Sequence, residues 1–79
     1  MFSPQTIKET IEKAFPGSKA EVRDLTGGGD HFELWVVSEA FLGKNLVARH
    51  RMVYAALGPA VGNEIHALAL KTLTPEEAQ

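Results

Sequence analysis

The chain contains no cysteine, which excludes disulfides, thiolate nucleophiles and an all-cysteine metal site. Any soft-metal chemistry has to borrow its sulfur from another molecule. Aromatic residues are few, with one tryptophan, one tyrosine and four phenylalanines, and they form no series of stacking platforms for a nucleic-acid strand. No apolar run approaches the ~18 residues that cross a bilayer, so no membrane association is expected. A large charge of one sign is missing too. With a formal net charge of −2, the chain has no global attraction to nucleic acid, and only a local basic patch could supply one. The N-terminal MFSPQTIKETIEK has neither the apolar core of a signal peptide nor the Arg-rich, acid-poor character of a transit peptide, so a cytoplasmic location is expected. No Ser-His-Asp order or paired carboxylates stand out, and the chain is small for enclosing a substrate cleft, so an enzyme is not expected.

What is present fits one domain over residues 1–79. A chain of this length buries roughly 60–65% of the surface that its unfolded form exposes. Ser3 and Pro4 read as the N-cap and first position of a helix, and Ile7, Ile11, Ala14 and Phe15 follow at helical spacing. Pro16-Gly17 ends it. Ala20 and Val22 alternate with charged residues in an edge-like strand over Lys19 to Leu25, and a Thr26-Gly27-Gly28-Gly29-Asp30 loop follows. Phe32, Leu34 and Val36 mark a second strand that Trp35 and Val37 make apolar on both faces. It should be the central strand, antiparallel to the first.

Ser38 to Leu42 reads as a short helical turn closed by Gly43. The main helix is predicted from Asn45, its cap, to Leu57, with Gly58-Pro59 as the stop. Its apolar face is read as Leu46, Val47, Val53, Tyr54 and Leu57, with Arg49 and Arg51 pointing away and His50 near the stripe as a packing residue. The third strand is predicted over Ile65 to Leu73, and a crossover of this length favours parallel pairing with the second. Thr74-Pro75-Glu76-Glu77 is a capping box that opens a further helix. The predicted fold is therefore α+β: a three-stranded mixed sheet with helices on one face, in the order α-β-β-α-β with a short α at the end.

Several segments match one family in order. They are Val37-Ser38-Glu39 closing a hydrophobic strand, Phe41 and Gly43, Arg49-His50-Arg51, Val53-Tyr54, Ile65-His66-Ala67, Lys71-Thr72 and Thr74-Pro75-Glu76. In these the chain resembles the BolA family of small regulatory proteins over nearly its whole length. Family members commonly place a tryptophan after Thr-Pro-Glu-Glu, where this chain has Ala78, so the resemblance does not extend to the docking of the last helix. It implies a fold like a class II KH domain. The KH signature itself, a Gly-x-x-Gly loop that clamps a nucleic-acid backbone, is absent from Leu42-Gly43-Lys44-Asn45-Leu46. Gly27 to Gly29 leads into a strand rather than the helix N-terminus on which phosphate loops open.

The resemblance also implies a chemistry. Read from the strand alone, His66 is a histidine with one ring nitrogen bonded to backbone, although neutral imidazole is a good ligand for iron. In BolA-like proteins the histidine of Ile-His-Ala is associated with ligation of a 2Fe-2S cluster shared with a monothiol glutaredoxin. His31, at Gly-Asp-His-Phe, resembles the histidine-loop branch, in which a second ligand comes from the loop. The partner's cysteine and glutathione would supply sulfur, and the isolated protein, a monomer or weak dimer, is expected to hold no cluster. Lys44, Arg49 and Arg51 are candidates for contact with the partner. The alternative is a transcriptional regulator that holds DNA phosphates through the same basic edge.

Overall fold

Each helix starts where a side chain can take up a loose backbone N–H. In the computed structural model, which describes residues 3–25, 27, 31–58 and 67–79, the hydroxyl of Ser3 accepts the Thr6 N–H at 3.1 Å. Pro4 occupies the first turn, where its missing N–H costs nothing, and helix α1 runs over Pro4–Ala14. Ile7 and Ile11 are fully buried, and Phe15 packs on Phe41 with ring centroids 5.8 Å apart. Ala14, read as part of this stripe, is exposed.

Strand β1 (Lys19–Asp24) pairs antiparallel with β2 (His31–Val37). β2 pairs in parallel with β3 (Ala67–Leu73), so the order is β1-β2-β3 with β2 central. Ile65 and His66, which the sequence assigns to the third strand, lie outside the described residues. Strict alternation along β2 buries Phe32, Leu34 and Val36, and these join Ile7, Ile11, Ala20, Phe41, Val53 and Leu57 in one core. The other face carries Glu33 and Trp35. Arg23 sits over the Trp35 ring, 5.5 Å from its centroid, and lies 3.8 Å from Glu33.

After β2, Ser38 caps a single 3-10 turn, Glu39–Phe41, and Gly43 takes the left-handed φ of 74° that turns the chain into the next helix. Asn45 caps α2 (Leu46–Leu57), its Oδ1 accepting the Ala48 N–H at 2.8 Å. Gly58 ends the helix at φ 67°. The expected order and mixed sheet are both present.

The face of α2 is not the one read from the sequence. Arg49, Val53 and Leu57 are its buried residues, while Leu46, Val47 and Tyr54 are 62%, 59% and 40% exposed. The stripe is rotated because Arg49 finds a partner inside the fold. At the chain's end the capping box forms: Thr74 N–H donates to Glu77 Oε1 at 2.8 Å and Glu77 N–H to Thr74 Oγ1 at 3.2 Å. In place of the expected helix there is one turn, closed by Ala78 N–H on Thr74 O. No helix among the described residues is long and apolar enough to cross a membrane.

Candidate functional site

His31 is the first residue of β2, half-buried. Its backbone carbonyl accepts the Leu25 N–H at 2.9 Å, the last rung of the β1–β2 ladder. Just beyond, Asp24 Oδ1 accepts the Gly27 N–H at 2.9 Å and Gly27 adopts φ 77°, so the entry to the glycine loop is a side-chain-braced turn of the kind that aspartate favours. On the other side, the Cα partner of His31 is Ala67, the first residue of β3. His66 and loop residues 28–30 lie outside the described residues. Among those described, no group of three or more His, Cys, Asp or Glu side chains could hold a metal ion. A metal at His31 would therefore draw further ligands from elsewhere.

The basic edge divides. Lys44 and Arg51 are exposed. Arg49 is not: it is 9% exposed, and its guanidinium is taken up within the fold. Nε donates to Lys44 O at 2.8 Å, and Nη1 donates to Thr72 O at 3.4 Å and to Glu77 Oε1 at 2.7 Å. Nη2 meets Glu77 Oε2 at 3.5 Å. Arg49 thus ties α2 to β3 and to the C-terminal turn, and its expected place on an outward basic edge is corrected. The ion pair and hydrogen bond from Arg49, followed by the Thr74 N–H, hold the Glu77 carboxyl below its ordinary range.

Sequence reading missed Glu77 as the partner of Arg49. The signal was present as a Thr-x-x-Glu box, which spends only part of a carboxylate's acceptor capacity on the cap. It also missed the apolar side chains left outside on α2. His50 is half-buried as expected, with its ring edge-on to Tyr54 at 6.5 Å.

The chain is a small α+β domain with a histidine opening its central strand and a capped helix between its parallel strands. Residues 4–77 match the family described as BolA-like protein, and the chain belongs to that family. It is 42% identical over 79 residues to Protein BOLA2 of Arabidopsis thaliana, covering 98% of this chain and 84% of that protein. It is 34% identical over 84 residues to the DNA-binding transcriptional regulator BolA of Escherichia coli (strain K12), covering 98% of this chain and 80% of that one. Among solved structures, a bolA protein homologue from Coxiella burnetii superposes with a TM-score of 0.82 at 39% identity, covering 99% of this chain and 97% of the other.

Proposed function

We propose that this protein is the BolA-like partner of a monothiol glutaredoxin, sharing a 2Fe-2S cluster with it in iron–sulfur trafficking or iron and redox regulation. The observation that carries this reading is the register of β2 on β3. His31 opens β2 opposite Ala67, and His66 immediately precedes Ala67 in the sequence. The pairing sets the start of β2, with His31, beside the start of β3.

The donor set suits a shared cluster and not a resident one. This chain offers imidazole nitrogen and no thiolate, so His66 and His31 would serve one iron while the partner's cysteine and glutathione serve the rest. Imidazole in place of thiolate raises the potential of such a cluster. Carbonyl acceptors or carboxylates near the outer ring nitrogens would fix the tautomers.

The deciding experiment is a titration of the protein into cluster-loaded monothiol glutaredoxin, followed by visible absorption and circular dichroism. A new cluster spectrum that is lost in His66→Ala supports the reading, and the His31→Ala result decides the second ligand. No complex and no spectral change would remove it.

A second reading, a DNA-binding transcriptional regulator, is favoured by the Escherichia coli relative, whose description names that role. Lys44 and Arg51 remain exposed for it, but Arg49 is engaged inside the fold. Phosphate contacts predict affinity that falls steeply with salt, and a loss in Arg51→Ala that is uniform across sequences. Binding to duplex DNA that is undetectable at low ionic strength would dismiss it.

A further inference from the structure

We propose that the chain pairs with a second copy of itself through the end of the sheet where β2 and β3 finish, each copy placing Leu42 and its neighbours in a groove of the other. Two features of opposite shape meet at this end. The first is a knob. Leu42, Leu46 and Val47 stand where the chain turns out of the 3-10 segment and into α2, and they are three of the five large apolar side chains exposed among the described residues. Apolar side chains gathered in this way outside a filled core mark a contact surface. The second is a groove of about 700 Å³ between the end of α1, the end of β2 and the C-terminal turn, walled by Phe15, Ala40, Pro75 and Ala78 and carrying Lys19 and Glu39. Its walls are held within the single chain: Phe15 packs on Phe41, Ser38 Oγ accepts the Ala40 N–H, and Ala78 N–H closes the last turn on Thr74 O. Leu42 follows Ala40 by two residues, so knob and groove share one surface.

A surface that carries a knob beside a groove is complementary to itself. A two-fold axis between the two sets each knob in the other copy's groove, the reciprocal arrangement of an isologous dimer. Charge agrees with this placement. Glu39 lies on the groove wall from which Leu42 and Lys44 follow, hence beside the axis, and Lys44 is exposed. The rotation brings Lys44 of one copy to Glu39 of the other, and the reverse. Lys19 lies on the β1 side, opposite Val37, away from that meeting. Other occupants cover less. A lone apolar peptide would fill the groove and leave Leu46 and Val47 in water, and phosphate gains nothing from either. One end of so short a chain offers no more than the ~800 Å² per partner of a standard interface, so association is expected at roughly 10–1000 µM.

The test is sedimentation equilibrium of the protein alone from about 10 µM to about 1 mM. The variants are Leu42→Asp, Glu39→Lys, Lys44→Glu, the double swap Glu39→Lys with Lys44→Glu, and Lys13→Glu on α1 as a control. All these positions are exposed, and unchanged thermal melting confirms that each variant folds. Wild type should dimerise as concentration rises, and Leu42→Asp should weaken the dimer at least about tenfold. Each single charge reversal should weaken it several-fold, the double swap should recover most of that loss, and the control should match wild type. A wild type that stays monomeric at the highest concentration would overturn the proposal and leave this surface to a different molecule. Association unchanged in Leu42→Asp would place the contact elsewhere and overturn it as well. Weakening in Leu42→Asp without recovery in the double swap would mean that knob meets knob, and would overturn the pairing of knob with groove. Because the protein is measured alone, none of these outcomes touches the shared-cluster reading.

Discussion

Where β2 and β3 finish side by side, at Val37 and Leu73, the structure is tied on every side. Ser38 N–H donates to Leu73 O, Thr74 and Glu77 bond each other reciprocally, and Arg49 reaches Lys44 O, Thr72 O and Glu77 together. Where β2 begins, at His31, the Leu25 N–H donates to the His31 carbonyl and the Gly27 N–H donates to Asp24. The buried guanidinium thus holds α2 to β3 and to the C-terminal turn at the end remote from His31. His31, proposed to meet iron, stands where Gly27 and Asp24 shape the turn beside it. A ligand site has to admit a partner, and the ties at the other end hold α2 and β3 together without calling on it.

This division predicts that function and stability separate by residue. His66→Ala should abolish the cluster spectrum formed with loaded glutaredoxin while leaving the thermal midpoint within a degree or two. Arg49→Met should do the reverse. It keeps the apolar stem but leaves the Lys44 and Thr72 carbonyls without their donor, at a cost of about 2 kcal/mol, or a fall in Tm of about 8–16 °C for a domain of this size. Below its midpoint it should still form the shared cluster. A folded Arg49→Met protein that fails to form the cluster would break the comparison and restore Arg49 to the partner surface.

Most of the fold was legible because its signals are local. Ser3, Asn45 and Thr74 each cap within three residues, and the alternation of Phe32, Leu34 and Val36 sets the buried face without reference to distant residues. The orientation of α2 was not legible. Val53 and Leu57 lie on both the stripe that begins at Leu46 and the one that begins at Arg49, so periodicity leaves the first turns undecided and hydrophobicity chooses Leu46. The structure chooses Arg49, because Glu77, 28 positions along, neutralises it. No helical pattern contains that fact. At the candidate site, the residue types came from the sequence and the pairing of His31 with Ala67 from the fold. His66 itself rests on resemblance.

The tied end also contains a flaw. The hydroxyl of Thr72, a residue only 2% exposed, has no hydrogen-bond partner among the described residues, beside a backbone carbonyl that accepts from Arg49. A buried hydroxyl that has lost water without gaining a partner costs free energy. Thr72→Val keeps the shape and removes the polar group, so it should raise stability by about 1 kcal/mol, read as a higher denaturant midpoint at unchanged slope. A lower midpoint would show that this hydroxyl is used.

The smallest effect expected at this end is also the most specific to it. The hydrogen bond from Arg49, and next the N–H of Thr74, lower the Glu77 pKa below its ordinary value of 4.5. A carboxyl whose pKa is lower in the folded state contributes stability that is fully present above its unfolded pKa and is lost as pH falls through the folded one. Glu77 should therefore add nothing to the pH dependence between neutrality and about pH 5, and should begin to weaken the fold only in more acid solution. Because its side chain is 47% exposed, water screens the pair and the loss is modest. Glu77→Gln should unfold at lower denaturant than wild type at pH 7, and the gap between the two midpoints should narrow in acid as the wild-type carboxyl takes up its proton. A gap that stays constant into acid, as far as wild type remains folded, would mean that the amide loses something other than charge. The capping geometry with Thr74, rather than the ion pair with Arg49, would then be what holds this end closed.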